Sequence, residues 1–312
     1  MEEVAAHPYV PRDLKLPGYV PISMSMSSIL AVYLGASLFA VTFVWFLLGR
    51  KKAHLDRLLM CWWAFTGLTH MVLEGYFVFS PEFFKDNTSC YLAEVSAAHP
   101  YVPRDLKLPG YVPITMSMSS ILAVYLGASL FVVTFVWFLL GRKKAHLDRL
   151  LMCWWAFTGL THMVLEGYFV FSPEFFKDNT SCYLAEVWKE YSKGDSRYAG
   201  RDSAVIAVEG ITAVIEGPAC LLAVYAIAKG KSYSYVLQLA ISLGQLYGCL
   251  VYFITAFLEG DNFATNSFYY YSYYVGANGW WVLIPLLISY RCWNKICESA
   301  SGVETKIKKK IR

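Results

Sequence analysis

The residues able to do chemistry in this 312-residue sequence are ionisable side chains set inside long apolar runs. His162 and Glu166, in GLTHMVLEGYF, stand four apart, so a helix turns both to one face. Glu209 and Thr212, in AVEGITAVIEGP, stand three apart, and Glu216, seven on from Glu209, falls close to the same line. Asn278 and Trp281, in GANGWWVLIP, share a face of a third apolar segment. Ionisable groups in a bilayer are costly, so each is a functional-site hypothesis by default. A carboxyl in an apolar pocket keeps its proton, because desolvation disfavours the anion. It can then serve as a general acid while a nearby carboxylate or imidazole serves as base. The Trp281 ring face could stabilise a cation, although interface packing accounts for it equally well. Interhelical hydrogen bonds, about 0.6 kcal/mol each on average, would account for Asn278 or Thr212 taken alone. They are too weak to account for His162, Glu166 and Glu209 together. HxxxE could also suggest a metal, but two ligands without a third His or Cys make a poor site.

The elements that must position these groups are membrane helices. The chain is 57% hydrophobic and 16% charged, against about 25% charged in soluble domains. Its 23 Tyr, 20 Phe and 10 Trp suit bilayer interfaces and apolar pockets. A net charge of +4, concentrated in particular loops and the C-terminus, carries no nucleic-acid signal. Of eight Cys, Cys61, Cys153, Cys220 and Cys249 sit in apolar segments and no CxxC occurs, so buried free thiols are expected. About 20 apolar residues cross the hydrocarbon core. The candidate spans are 29–48, 58–79, 121–140, 150–171, 204–228, 236–258 and 268–290. The expected fold class is therefore an all-α polytopic membrane bundle. The loops GRKKAHLDR (141–149), 229–231 and the segment from Arg291 are basic, whereas the loop at Glu259 and Asp261 is acidic. Placing the basic loops in the cytosol makes the N-terminus lumenal and the C-terminus cytosolic. The N-terminal MEEVAAHPYVPRDLKLPGYVP lacks the basic and apolar regions of a signal peptide, so the helices are expected to direct insertion. Lys309 and Lys310, fourth and third from the end, resemble a dilysine retrieval signal of the endoplasmic reticulum; a basic tail on anionic lipid is the plainer alternative. Asn87 and Asn179 each open a sequon on the expected lumenal side, close to a helix end.

Ala5–Val95 recurs as Ala97–Val187 at an offset of 92, differing only at Ser23/Thr115 and Ala40/Val132. Ancient membrane repeats survive only as weak symmetry. This one is either recent or an error in assembling the coding sequence. Only the second copy runs on into WKEYSKGDSRY (188–198) and the later helices. The expected division is 1–96, a partial copy carrying a two-helix hairpin, and 97–312, a complete domain with its core at 146–290 and a basic tail at 291–312.

AHPYVPRDLKLPGYVP, CWWAFTGLTHMVLEGYFVFSPE, WKEYSKGDSRY, DSAVIAVEGITAV, QLYGCLVYF and GANGWWVLIP together resemble the emopamil-binding-protein family, the sterol Δ8–Δ7 isomerases of the EXPERA superfamily, and especially its plant members. The resemblance covers essentially all of 97–312. It implies a five-helix bundle with a sterol-sized pocket opening within the bilayer, here extended by the extra hairpin. It also implies a double-bond shift that needs no cofactor and no metal: protonation at carbon 9, a carbocation at carbon 8, and loss of a proton from carbon 7. By the family pattern, His162, Glu166 and Glu209 handle protons, with Glu209 favoured as donor and the His162/Glu166 pair as acceptor. Trp281 would stabilise the cation, and Thr212, Asn278, Tyr191 and Tyr198 would bind substrate. Implied partners are a sterol within the bilayer and cationic amphiphilic drugs; nucleic acid is not among them, and a homodimer is left open. Glu216 stands where an apolar or small residue is expected, as a lipid-facing side chain or a second pocket carboxyl. His70 and Glu74 form a spare pair in the first copy. Two rival readings are a non-catalytic sterol- or amphiphile-binding relative and a transporter of parallel repeats. The full polar set disfavours the first, and the doubling of only two helices disfavours the second.

Overall fold

The computed structural model describes residues 25–74, 99–103, 106–177 and 182–311, and every regular element among them is helical. The sequons at Asn87 and Asn179 and the side chains of Lys309 and Lys310 lie outside the described residues. The chain divides into two compact units, Met1–Leu92 and Ala93–Arg312.

The first unit is a hairpin. Helix α1 (Met26–Phe43) is capped by Ser25, which accepts from the Ser28 amide, and ends in a π-helical turn at Val44–Leu48. Helix α2 (His54–Thr69) runs on as a second π-helical turn, His70–Glu74. Cys61 Sγ donates to the Val41 carbonyl at 3.5 Å, and Tyr33 and Thr69 join hydroxyls at 3.3 Å.

The second unit repeats that hairpin and builds on it. Helix α3 (Met118–Phe135, then Val136–Leu140) is capped by Ser117. Helix α4 begins at His146–Leu160, turns π-helically at Thr161–Glu166 and resumes at Gly167–Phe171. The short α5 (Tyr183–Tyr191) follows. Helix α6 has the same three-part form: Ser203–Ile211, a π-helical turn at Thr212–Glu216, then Gly217–Lys229. Asp202 caps its start, and Gly230, at φ 60°, supplies the left-handed residue that ends it. Pro218 has no amide hydrogen for the α-ladder, and the looser turn ends just before it. Helix α7 is Ser234–Leu258. The last helix, α8, starts at Ser267–Tyr269, widens at Tyr270–Ala277 and continues over Asn278–Ile311.

Leu30–Leu48, Met118–Leu140, Ser203–Lys229 and Ser234–Leu258 are long and apolar enough to cross a bilayer. The segments 150–171 and 268–290 are helical too, but carry the His–Glu pair and a tyrosine run. On α3, Leu126, Leu130, Phe131, Phe138 and Leu139 point outward, an apolar surface that suits lipid. Arg291 pairs with Asp148 at 3.2 Å and lies over the Tyr235 ring. The basic segments before α4, before α7 and in α8 therefore share one end of the bundle.

Two buried clusters hold the helices together. Leu151, Met152, Trp155, Cys220, Ile241 and Ile288 form one towards the basic end. Phe169, Trp188, Tyr198, Val205, Tyr252 and Tyr274 form an aromatic one towards the other. Gly159 lets α4 and α6 touch: a Cβ there would lie 2.9 Å from Cys220 Cβ and 3.0 Å from the Gly217 carbonyl. The aromatic end is closed by α5, the turn after it and a strap of residues 99–103 and 106–117. Glu186 accepts from the Thr115 and Met116 amides at 2.6 and 2.8 Å and from Lys189 at 3.1 Å. Burial would raise the Glu186 carboxyl's pKa, but the two amides and Lys189 hold it below its ordinary value. Arg197 and Asp195 form a buried pair at 2.7 Å, and Tyr252 donates to Asp195 at 2.6 Å.

Candidate active site

Each helix places its polar residue at the level between the two clusters. On α4, His162 and Glu166 lie between Trp155 and Phe169; on α6, Glu209 and Thr212 lie between Val205 and Cys220. On α7, Gln245 lies between Ile241 and Tyr252; on α8, Asn278 and Trp281 lie between Tyr274 and Ile288. The gap between the clusters is a cavity of about 400 Å³ with a mainly apolar wall. Ile121, Leu122 and Tyr125 of α3 line one side.

The eight residues given catalytic or substrate-binding roles by the resemblance all line this cavity: His162, Glu166, Tyr191, Tyr198, Glu209, Thr212, Asn278 and Trp281. Their polar atoms form a nearly continuous chain. Trp281 Nε1 donates to Thr158 Oγ1 at 2.7 Å, and that hydroxyl lies 3.2 Å from His162 Nε2. His162 Nδ1 is 2.7 Å from both Glu166 oxygens. The Thr212 hydroxyl gives its one hydrogen to Glu166 Oε2 and lies 2.9 Å from the Glu209 carbonyl. The Glu166 and Glu209 carboxyls face the same cavity, and Tyr198 donates to Glu209 Oε1 at 2.5 Å. Asn278 donates to the Tyr191 hydroxyl at 2.9 Å and to the Tyr274 carbonyl at 2.8 Å, holding the aromatic end of the wall.

Two findings differ from the sequence reading. Glu216 neither faces lipid nor lines the cavity: it is only 9% exposed and abuts α7 at Gly244, where a Cβ would collide with its carboxylate. The π-helical turn, one residue wider than an α-turn, rotates it off the line of Glu209. Thr158 and Gln245, both touching His162, had not been picked out. The signals were present: Thr158 lies four before His162, and Gln245 is a polar residue mid-way along an apolar span. In the first unit, His70 Nδ1 and Glu74 Oε1 also pair, at 2.5 Å, but are 59% and 62% exposed against 3% and 12% for His162 and Glu166.

Comparison with known proteins places this arrangement. The family model EXPERA (EXPanded EBP superfamily) matches residues 183–292, which hold α5 to α7 and the part of α8 bearing Asn278 and Trp281. A probable 3-beta-hydroxysteroid-Delta(8),Delta(7)-isomerase of Arabidopsis thaliana is 81% identical over 219 residues, 69% of this chain and 98% of that protein. The chain belongs to the EBP family. A second EBP-family member, the probable 3-beta-hydroxysteroid-Delta(8),Delta(7)-isomerase of Oryza sativa subsp. japonica, is 59% identical over 213 residues, 67% of this chain and 97% of its own. A protoglabretal synthase of Ailanthus altissima is 57% identical over 202 residues, 64% of this chain and 92% of its own. The Arabidopsis match covers 69% of this chain, so the share left unaligned is close to that of one copy of the internal repeat.

Proposed function

We propose that this chain is a membrane sterol Δ8–Δ7 isomerase. The observation that carries the reading is the line of proton-bearing groups, His162, Glu166 and Glu209, along the wall of an otherwise apolar, sterol-sized cavity. Adjacent carboxyls in an apolar site share one proton, because two negative charges in contact repel. Glu166 already accepts from His162 and Thr212, which suits it to be the carboxylate. Glu209 then carries the proton and is the donor to carbon 9. The cation at carbon 8 is stabilised by the Glu166 carboxylate and the Trp281 ring. The His162/Glu166 pair takes the proton from carbon 7, that proton exchanges with solvent, and Glu209 is reprotonated before the next turnover, so proton number is conserved over the cycle. Tyr198 orients Glu209, while Asn278 and Tyr191 shape the substrate's seat.

The same cavity, built around a cation, suits cationic amphiphilic inhibitors. The common end of the basic segments supports a cytosolic C-terminus and a lumenal aromatic end, in the endoplasmic reticulum if the dilysine tail is read there. Residues 97–312 form the complete domain, 1–96 are an appended partial copy, and a homodimer is a further arrangement to test.

The test is turnover in deuterated water, using membranes that carry the chain. A Δ8-sterol should become its Δ7 isomer with deuterium at carbon 9. Product without that label would overturn the protonation mechanism, and tight sterol binding without product would make the chain a binding protein instead.

A further inference from the structure

We propose that Thr158 and Gln245 are positioning residues that lock the tautomer of His162, making Glu166, and not the imidazole, the base that takes the proton from the sterol. The inference rests on the proton-handling role of the His162/Glu166 pair set out above. It follows from which groups can only donate. An indole N–H has no acceptor role, so Trp281 must donate to Thr158 Oγ1, 2.7 Å away. A carboxamide nitrogen likewise only donates, and Gln245 Nε2 lies 3.0 Å from His162 Nε2 and 3.3 Å from Thr158 Oγ1. The Thr158 oxygen thus receives two hydrogens, and its own hydrogen is left for His162 Nε2 at 3.2 Å. Two donors therefore converge on Nε2, which must accept. The ring hydrogen sits on Nδ1 and points at Glu166, 2.7 Å away.

This direction of bonding has a chemical consequence. Both ring nitrogens are occupied by protein, so neither is free to reach a sterol carbon. Glu166 lines the cavity and keeps its carboxylate oriented by Nδ1–H on one side and the Thr212 hydroxyl on the other. His162 acts through it: held at Nε2, the imidazole fixes Glu166 through Nδ1–H. Thr158 and Gln245 are fully buried, and their contacts bind α4, α7 and α8 at one point. The titratable groups around the imidazole are Glu166 on its own helix, Glu209, Glu216 and Cys220 on α6, Tyr125 on α3 and Cys249 on α7.

Thr158→Val keeps the side chain's shape and removes one donor; Thr158→Ser restores it; Gln245→Glu replaces a donor at Nε2 with an acceptor. Thr158→Val should lower kcat about tenfold with KM within about threefold, and Thr158→Ser should recover it. Gln245→Glu should hold the ring as imidazolium, whose charge keeps Glu166 ionised, so the acid limb of its pH–rate profile should move down by about one pH unit or more, whereas a base on the imidazole itself would move it up. The amount of folded protein is followed by thermal denaturation in detergent, so that a folding defect in one variant leaves the other two to decide. Wild-type kcat in Thr158→Val together with an unshifted limb in Gln245→Glu overturns the lock, as does a change confined to KM. His162→Ala separates the two levels. If it is inactive while both variants behave as wild type, only the tautomer lock fails; if it is active, and stays active when His70 is changed as well, the proton-handling reading itself fails.

Discussion

At the residue scale, the two carboxyls are distinguished by their partners. Glu166 receives hydrogens from His162 and Thr212, while Glu209 receives one from Tyr198 and faces Glu166. Gln in either place keeps shape and hydrogen bonding but cannot transfer a proton. Glu209→Gln and Glu166→Gln should each lower turnover by a factor of about 10² or more while sterol or amphiphile binding stays measurable; normal kcat in Glu209→Gln would remove that residue from the mechanism. Glu216 is a different case. Its Oε2 is buried without a hydrogen-bond partner, and it stands outside the cavity. Replacing such a group by an apolar one of similar shape removes a desolvation cost and loses no bond. Glu216→Val should therefore match or exceed the wild-type melting temperature, with turnover near normal. A clear drop in melting temperature would mean that the carboxylate has a partner. That His162, Glu166 and Glu209 line one cavity was legible in the sequence, because an ionisable group costs too much in an apolar run to sit there without a partner or a task. Thr158 and Gln245 were not, since one neutral polar residue in a span reads equally well as a tie between helices.

At the element scale, helix boundaries and pairings could be read from apolar length, caps and glycines, but three turns at the site could not. Thr161–Glu166, Thr212–Glu216 and Tyr270–Ala277 are π-helical, and an α-helical projection misplaces whatever follows them. His162 and Glu166 escape this because both lie within one turn; Glu216 does not. The packing of the strap residues 99–103 and 106–117 was not legible either. A polar, Pro-rich segment looks like a free terminus, yet Tyr101 donates to the Lys189 carbonyl at 3.0 Å and Glu186 takes both amides of the strap. That carboxylate carries an acid-sensitivity. Its folded-state pKa lies below the unfolded value, so its contribution is fully present above the ordinary glutamate range. It is lost as pH falls through the lowered folded value. Thermal stability of the purified protein should drop below about pH 4.5, and Glu186→Gln should flatten that part of the curve. An identical acid limb in the variant would assign the loss to other carboxyls.

At the scale of the whole molecule, the repeat was fully visible in the sequence, but which copy works is decided by connectivity, which identity between copies hides. The two hairpins differ at one helical position, Ala40 against Val132, so their packing surfaces are almost equivalent. In the second unit that surface is used. Trp155 is fully buried, Cys220 packs at Gly159, and His162 reaches Gln245 and Glu166. The corresponding Trp63 is 70% exposed. The second hairpin is joined to α6 through α5 and its buried ion pairs, which keeps it at high effective concentration beside its docking site. The first would have to displace it across two further helices, with no gain in contact area. A chain beginning near Ala97 should therefore insert, fold and turn over sterol at the full-length rate. In the full-length chain, His162→Ala should be inactive even though His70 is intact. Activity retained in that variant, and lost only when His70 is changed as well, would mean that the hairpins exchange and that either copy can complete the bundle.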